Sequence, residues 1–226
     1  MKKGQQRAQR KQSKREQKKR QQRHLQRSQG KTALLRAAAR WPLYECMMTK
    51  DWQSTGTIIQ ITVARRSPAG EILCGVFLVD LGCLGVKNAF PSKVFSSVQD
   101  YRRDLFSSLA EHQEMVPVDL NLAAKVIREA VAYARSLGFA PNRDYADTAL
   151  LLGEADPDAC DVPIPLGSED GKPFFIAGPY DNVPRILAQL RRAVGEGNFY
   201  FLAPLVTDFG DEEDRYGDLD SVQFLE

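Results

Sequence analysis

An α+β fold is what this sequence predicts, on three observations. Two strand-like runs flank a short polar turn in TIIQITVARRSPAGEILCGVFLVD (residues 57–80); helix-spaced apolar residues dominate 95–152; and a strand, helix, strand succession closes the body before 207. Together they predict a mixed, largely antiparallel sheet of five or six strands with a central hairpin at 57–80, packed by about four helices. The 226 residues, 43% of them apolar, suffice for one sizeable core. The chain divides into a disordered basic arm over 1–31, a single α+β domain over 32–207 and an acidic tail over 208–226.

Taken in order, the first element is a short helix over Thr32–Arg40, Ala- and Leu-rich, ending near Trp41-Pro42 because proline restrains the residue before it. LYECMMT (43–49) reads as a strand. In the hairpin, Ile59, Ile61 and Val63 alternate with polar or small residues, whereas 72–79 is apolar on both faces and belongs at the sheet centre. LGCLGVKNAF follows, with Gly82 and Gly85 marking a bent strand or a loop that passes close to other backbone. Helical spacing recurs over Phe95–Leu109 and Asn121–Leu137, the latter stopped by Gly138, and a shorter helix covers Arg143–Leu152. Residues 154–171 form a surface connection with one edge strand, DVPIPL. KPFFIAG is then a strand, Asp181 or Asn182 caps a helix that runs to Val194 and stops at Gly195, and NFYFLAPL is a strand; this unit is expected to cross over onto the same sheet.

Charge is divided sharply. Residues 1–40 hold fifteen Lys/Arg against one acid, and residues 41–226 hold sixteen against twenty-eight. With so little apolar surface the arm cannot offset the entropy of ordering, although its Lys, Arg and Gln favour a helix once a partner neutralises them. The partner such a segment fits is a polyanion, nucleic acid or a ribonucleoprotein. Lys2, Lys3, Arg7, Arg10, Lys11, Lys14, Arg15, Lys18, Lys19, Arg20, Arg23 and Arg27 would carry the phosphate contacts. No aromatic residues interleave with them, so the arm would anchor rather than read bases.

No run reaches the length of a membrane-spanning helix, so no membrane partner is expected. Cys46, Cys74, Cys83 and Cys160 show no close C-x-x-C pair, and the body has one histidine, His112, so no metal site through Cys and His is expected. Cys74 and Cys83 lie in apolar surroundings and read as core thiols of a reduced, cytoplasmic protein.

Candidate chemistry in the body rests on carboxylates. Asp80 ends an otherwise apolar strand, and with Glu45, Glu129 and Asp181 it is the candidate acidic cluster of a metal-dependent nuclease; the competing reading is a turn cap. Lys87 and Asn88 follow Gly82 and Gly85 and are candidates for an anionic ligand, against a tight structural turn. GPYDNVP places a helix N-terminus after a strand, a geometry suited to anions unless Asp181 or Asn182 satisfies the amides. His112 reads as an exposed helix-end residue, and Tyr44, Tyr101, Tyr133 and Trp52 as packing residues.

VARRSPAGEILCGVFLVDLGCLGVKNAF, AYARSLGFAPNRDY, GKPFFIAGPYDN and GEGNFYFL together resemble a family of uncharacterised bacterial proteins with a domain of unknown function, over roughly residues 43–203. The resemblance implies a bacterial cytoplasmic origin and brings no activity, cofactor or catalytic residue. The sequence therefore predicts a non-catalytic nucleic-acid or ribonucleoprotein-associated protein anchored by its arm. The alternatives are the nuclease-like enzyme and a protein-interaction module whose basic and acidic tails regulate each other.

Overall fold

The computed structural model describes residues 29–110 and 113–203. Strands β1 (Leu43–Thr49), β2 (Ile58–Arg66), β3 (Ile72–Asp80), β4 (Gly85–Pro91) and β5 (Met115–Pro117) form one sheet in the order β4-β3-β2-β1-β5. Every neighbouring pair in it is antiparallel. The α+β class follows directly. At the centre β2 and β3 pair without a break from Ile58↔Asp80 to Arg66↔Ile72. Their turn is closed by the Gly70 amide on the Ser67 carbonyl at 2.9 Å.

Alternation along β2 sends Ile59, Ile61 and Val63 to one face, where they meet Phe77 and Val79 of β3 and Val126, Ile127 and Ala130 of helix α4 (Leu120–Ser136). Full burial of residues such as Val126 and Ile127 stabilises by roughly 1.5–3 kcal/mol each. Asp119 starts α4 by accepting hydrogen bonds from the amides of Asn121 and Leu122 at 2.8 and 3.4 Å. Gly85 sets the distance between β4 and α4: its φ is +67°, and a Cβ there would lie 2.9 Å from the Ala130 carbonyl oxygen.

The opposite face carries Ala64, Cys74 and Val76, covered by Phe95 and Tyr101. The covering segment consists of α2 (Val98–Tyr101), a π-helical stretch Arg102–Phe106, and α3 (Ser107–Ala110). The sequence predicts one regular helix from Phe95. Instead Ser97 caps the helix, its Oγ accepting from the Asp100 amide at 3.1 Å, and Phe95 bridges to Ile72 by backbone hydrogen bonds.

At the far end of the α4 face, helix α1 covers 29–38 and brings Leu35 and Ala38 against Leu73 and Leu151. Leu151 lies in the 3-10 turn Ala149–Leu152, which continues α5 (Tyr145–Thr148). Among the described residues no helix is long and apolar enough to cross a membrane.

The last unit departs from the expected crossover. β6 (Phe174–Ile176) and β7 (Tyr200–Leu202) pair in parallel on either side of α6 (Val183–Val194), but as a separate two-stranded sheet. They do not extend the main one. One point of contact is the turn after β3: the Phe174 amide donates to the Gly82 carbonyl at 3.0 Å, and a Cβ on Gly82 would sit 2.1 Å from the Phe174 oxygen. Nor does DVPIPL form an edge strand, since 161–166 has no ladder and Pro163 and Pro165 lack amide donors. The three-residue edge strand β5 had no sequence signal strong enough to announce it.

Candidate functional site

The four candidate carboxylates are engaged in separate places. Asp80, 2% exposed, turns its Oδ1 back onto the amides of Cys83 and Leu84 at 2.8 and 3.3 Å and so caps the turn between β3 and β4. Burial pushes its pKa up, against the opposing pull of those amides and of Lys87. Glu45 lies on the other face of the sheet, accepting from the Tyr101 hydroxyl at 2.6 Å and from the Arg102 guanidinium. Burial also drives the Tyr101 phenol upward, which keeps it a donor. Arg102 in turn stacks over Phe106, with Tyr101 and Tyr44 at its sides. Glu129 sits on α4 3.9 Å from Lys125 Nζ. Asp181 Oδ2 accepts from Lys87 Nζ at 2.6 Å and from the Gly178 amide at 2.8 Å. Among the described residues no group of three or more His, Cys, Asp or Glu is placed to hold a metal ion.

The remaining candidates divide. Asn88 is an exposed residue of β4 opposite Leu78. Trp52 is buried in the core under α4, Tyr44 and Tyr101 pack on the other face, and Tyr133 joins the cluster around Phe175 and Leu190. All four cysteines are free; Cys46, Cys74 and Cys83 are buried, and burial pushes the Cys46 thiol up to about 12. His112 and the twelve arm cations lie outside the described residues.

Lys87 and the GPYDNVP turn, by contrast, do come together. They border an open cleft of about 640 Å³ between the start of β4, the 138–142 loop and α6. Phe139 and Ile186, with Leu84, supply its apolar floor; Lys87, Asn142, Asp181, Arg185, Gln189 and Arg192 supply its polar rim. The helix N-terminus here is already occupied, because Asn182 Oδ1 accepts from the Arg185 amide at 3.2 Å. The charge that remains available is therefore on side chains. Among the described residues Arg192 Nη1 donates only to the neutral Gln189 Oε1, at 3.3 Å. The Arg185 side chain has no hydrogen bond or ion pair among the described residues.

Two functional or structural features escaped the sequence reading. Arg185, Ala188, Gln189 and Arg192 recur at helical spacing on one face of α6, a pattern legible in RILAQLRR. Arg65 shares the parity of Ile59, Ile61 and Val63, which places it on the core face, and it is 1% exposed. Its guanidinium donates to the carbonyls of Leu151, Trp41 and Leu152 at 2.7, 2.8 and 2.9 Å and forms a two-point pair with Glu154.

The class this fold and cleft define is an α+β protein with a cation-rimmed, apolar-floored recess beside a small parallel β-α-β unit. No family model matches the chain, and no curated protein or solved structure shows significant similarity to it.

Proposed function

We propose that this is a non-catalytic, cytoplasmic protein associated with nucleic acid or a ribonucleoprotein and anchored by its basic arm. The observation that carries the reading is the partition of charge: fifteen Lys/Arg against one acid in residues 1–40, on a chain whose remaining 186 residues are net acidic. Phosphate contacts by such an arm release condensed counterions and give sequence-indifferent binding that weakens steeply with salt. The acidic body contributes repulsion, which confines attachment to the arm. Support for a non-catalytic role comes from the engagement of Asp80, Glu45, Glu129 and Asp181 in four different local contacts. Each of them has a partner of its own in the fold.

The test is retention on immobilised RNA and duplex DNA across a salt series. Removing residues 1–31 should abolish retention at moderate salt. It should also flatten the logarithmic salt dependence, by about 0.9 for each phosphate left unneutralised on duplex DNA and about 0.7 on single strands. Equal retention with and without the arm would overturn the proposal.

A further inference from the structure

We infer that the cleft beside α6 is a docking site for the chain's own acidic C-terminal segment, residues 208–214. This inference is independent of what the arm binds. Three observations converge on this occupant.

The first is where the described chain leaves the fold. β6 and β7 run parallel, so their C-terminal ends lie together: Ile176 pairs with Leu202, and the Ala177 amide donates to the Leu202 carbonyl at 2.9 Å. From Ala177 the chain passes directly into the Gly178–Asn182 turn, whose Asp181 and Asn182 rim the cleft. The residues after Ala203 therefore start beside the cleft. Asp208 is five residues further on, a reach of up to about 17 Å, and Asp214 eleven, up to about 38 Å. Arg185 and Arg192 are seven residues apart on α6, about 10 Å along its axis.

The second is charge. Residues 204–226 carry eight acids and a single Arg215, with Asp211, Glu212, Glu213 and Asp214 in an unbroken run. Across the cleft, Arg185 is without a charged partner among the described residues and Arg192 has only an amide oxygen. These are exposed guanidinium groups on a body whose residues 41–203 carry fifteen Lys/Arg against twenty Asp/Glu, so the cleft opposes the sign of its surroundings. A guanidinium offers planar paired donors that match a carboxylate.

The third is the apolar component. The cleft's apolar lining of Phe139 and Ile186, with Leu84, accepts apolar groups, and Leu205, Val206 and Phe209 lie in the tail just before its acidic run. Covalent attachment supplies the segment at millimolar effective concentration, enough for a weak contact to be populated.

Zero-length carbodiimide coupling on the full chain tests this directly, since it joins an amine to a carboxylate only when they touch. Arg185→Lys and Arg192→Lys place an amine at each cleft position with little risk to folding. The expected result is amide links from both positions to carboxylates between Asp208 and Asp214, found by peptide mass spectrometry. Their yield should fall about tenfold in ~1 M salt, where screening reaches within ~3 Å. It should fall as far when Asp211, Glu212, Glu213 and Asp214 are replaced by their amides. The native Lys87–Asp181 pair serves as a positive control in the same digest. Links only to body carboxylates would overturn the inference, as would links to a second, isotopically labelled copy of the chain. Protection of both positions by a single-stranded RNA in the absence of any tail link would assign the cleft to nucleic acid and overturn it as well.

Discussion

Arg65 and Arg185 are the same residue put to opposite uses, and the contrast separates the five-stranded sheet from the β6-α6-β7 unit. Arg65 has left water altogether, and three carbonyls and the Glu154 carboxylate replace its hydration. Those carbonyls come from the chain after α1 and from the 3-10 turn after α5, so one side chain ties two connections to β2. The Arg185 side chain is exposed at the cleft and takes no partner from the described residues. Charge in the sheet has become structure, whereas charge on α6 is still available to a ligand. The general lesson is that local acceptors, not residue type, decide which role an arginine plays.

Breaking Arg65 gives the largest expected effect. Arg65→Ala strands the Leu151 and Trp41 carbonyls, leaves the Leu152 carbonyl with the Ala155 amide alone and opens a void, for a loss of about 3–5 kcal/mol of folding stability. Arg185→Ala should stay within about 0.5 kcal/mol, as surface substitutions do. Denaturant midpoints of both variants check the pair. Equal losses would erase the distinction between the two regions.

How legible these regions were follows the same division. Alternation placed β2 and helical spacing placed α4, because each turns one face to a continuous core; an unbroken apolar run placed β3 at the sheet centre, and the cap, Pro184 and the Gly195 stop placed α6. Sequence pattern missed β5, whose three residues are held by pairing with β1 rather than by any pattern of their own. It also sent β6 and β7 to the wrong sheet: strand pairing there is set by the approach of Phe174 to Gly82, a contact between residues ninety-two positions apart. Within the site, Lys87 and Asp181 were singled out separately, one as an anion holder and the other as a catalytic carboxylate. Only the fold makes them partners. Asp80 illustrates the limit from the other side, since a strand-end carboxylate looks alike in sequence whether it faces solvent or caps a turn.

Asp80 sharpens the comparison through pH. Asp80→Ala frees the Cys83 and Leu84 amides inside the protein, at a cost of about 1–3 kcal/mol. Because burial raises its pKa above the usual 3.8, the folded state binds more protons than the unfolded chain in the window between that value and the raised one. The Asp80 contribution is therefore greatest below about pH 3.8 and diminishes as pH climbs through the raised pKa. Asp80→Asn retains the acceptor oxygen without the ionisation, so stability curves of wild type and this variant should diverge with rising pH in that window. Parallel curves would mean that burial does not penalise the carboxylate.

A smaller loss than at Arg65 or Asp80 is expected in the Glu45 network, which stands between the two regimes. Tyr101 is fully buried and its hydroxyl meets Glu45, yet Arg102 on the same carboxylate is partly exposed. Removing the hydroxyl leaves the ring in place against Tyr44, Phe95 and Phe106, whose centroids lie 6.3, 5.8 and 6.3 Å away. It also leaves Glu45 with its charged partner. Tyr101→Phe should thus cost only about 1 kcal/mol, the net worth of one hydrogen bond. If the loss approaches that of Arg65→Ala, the hydroxyl is holding the π-helical stretch in position, and this face of the sheet depends on buried polar contacts as heavily as the Arg65 end does.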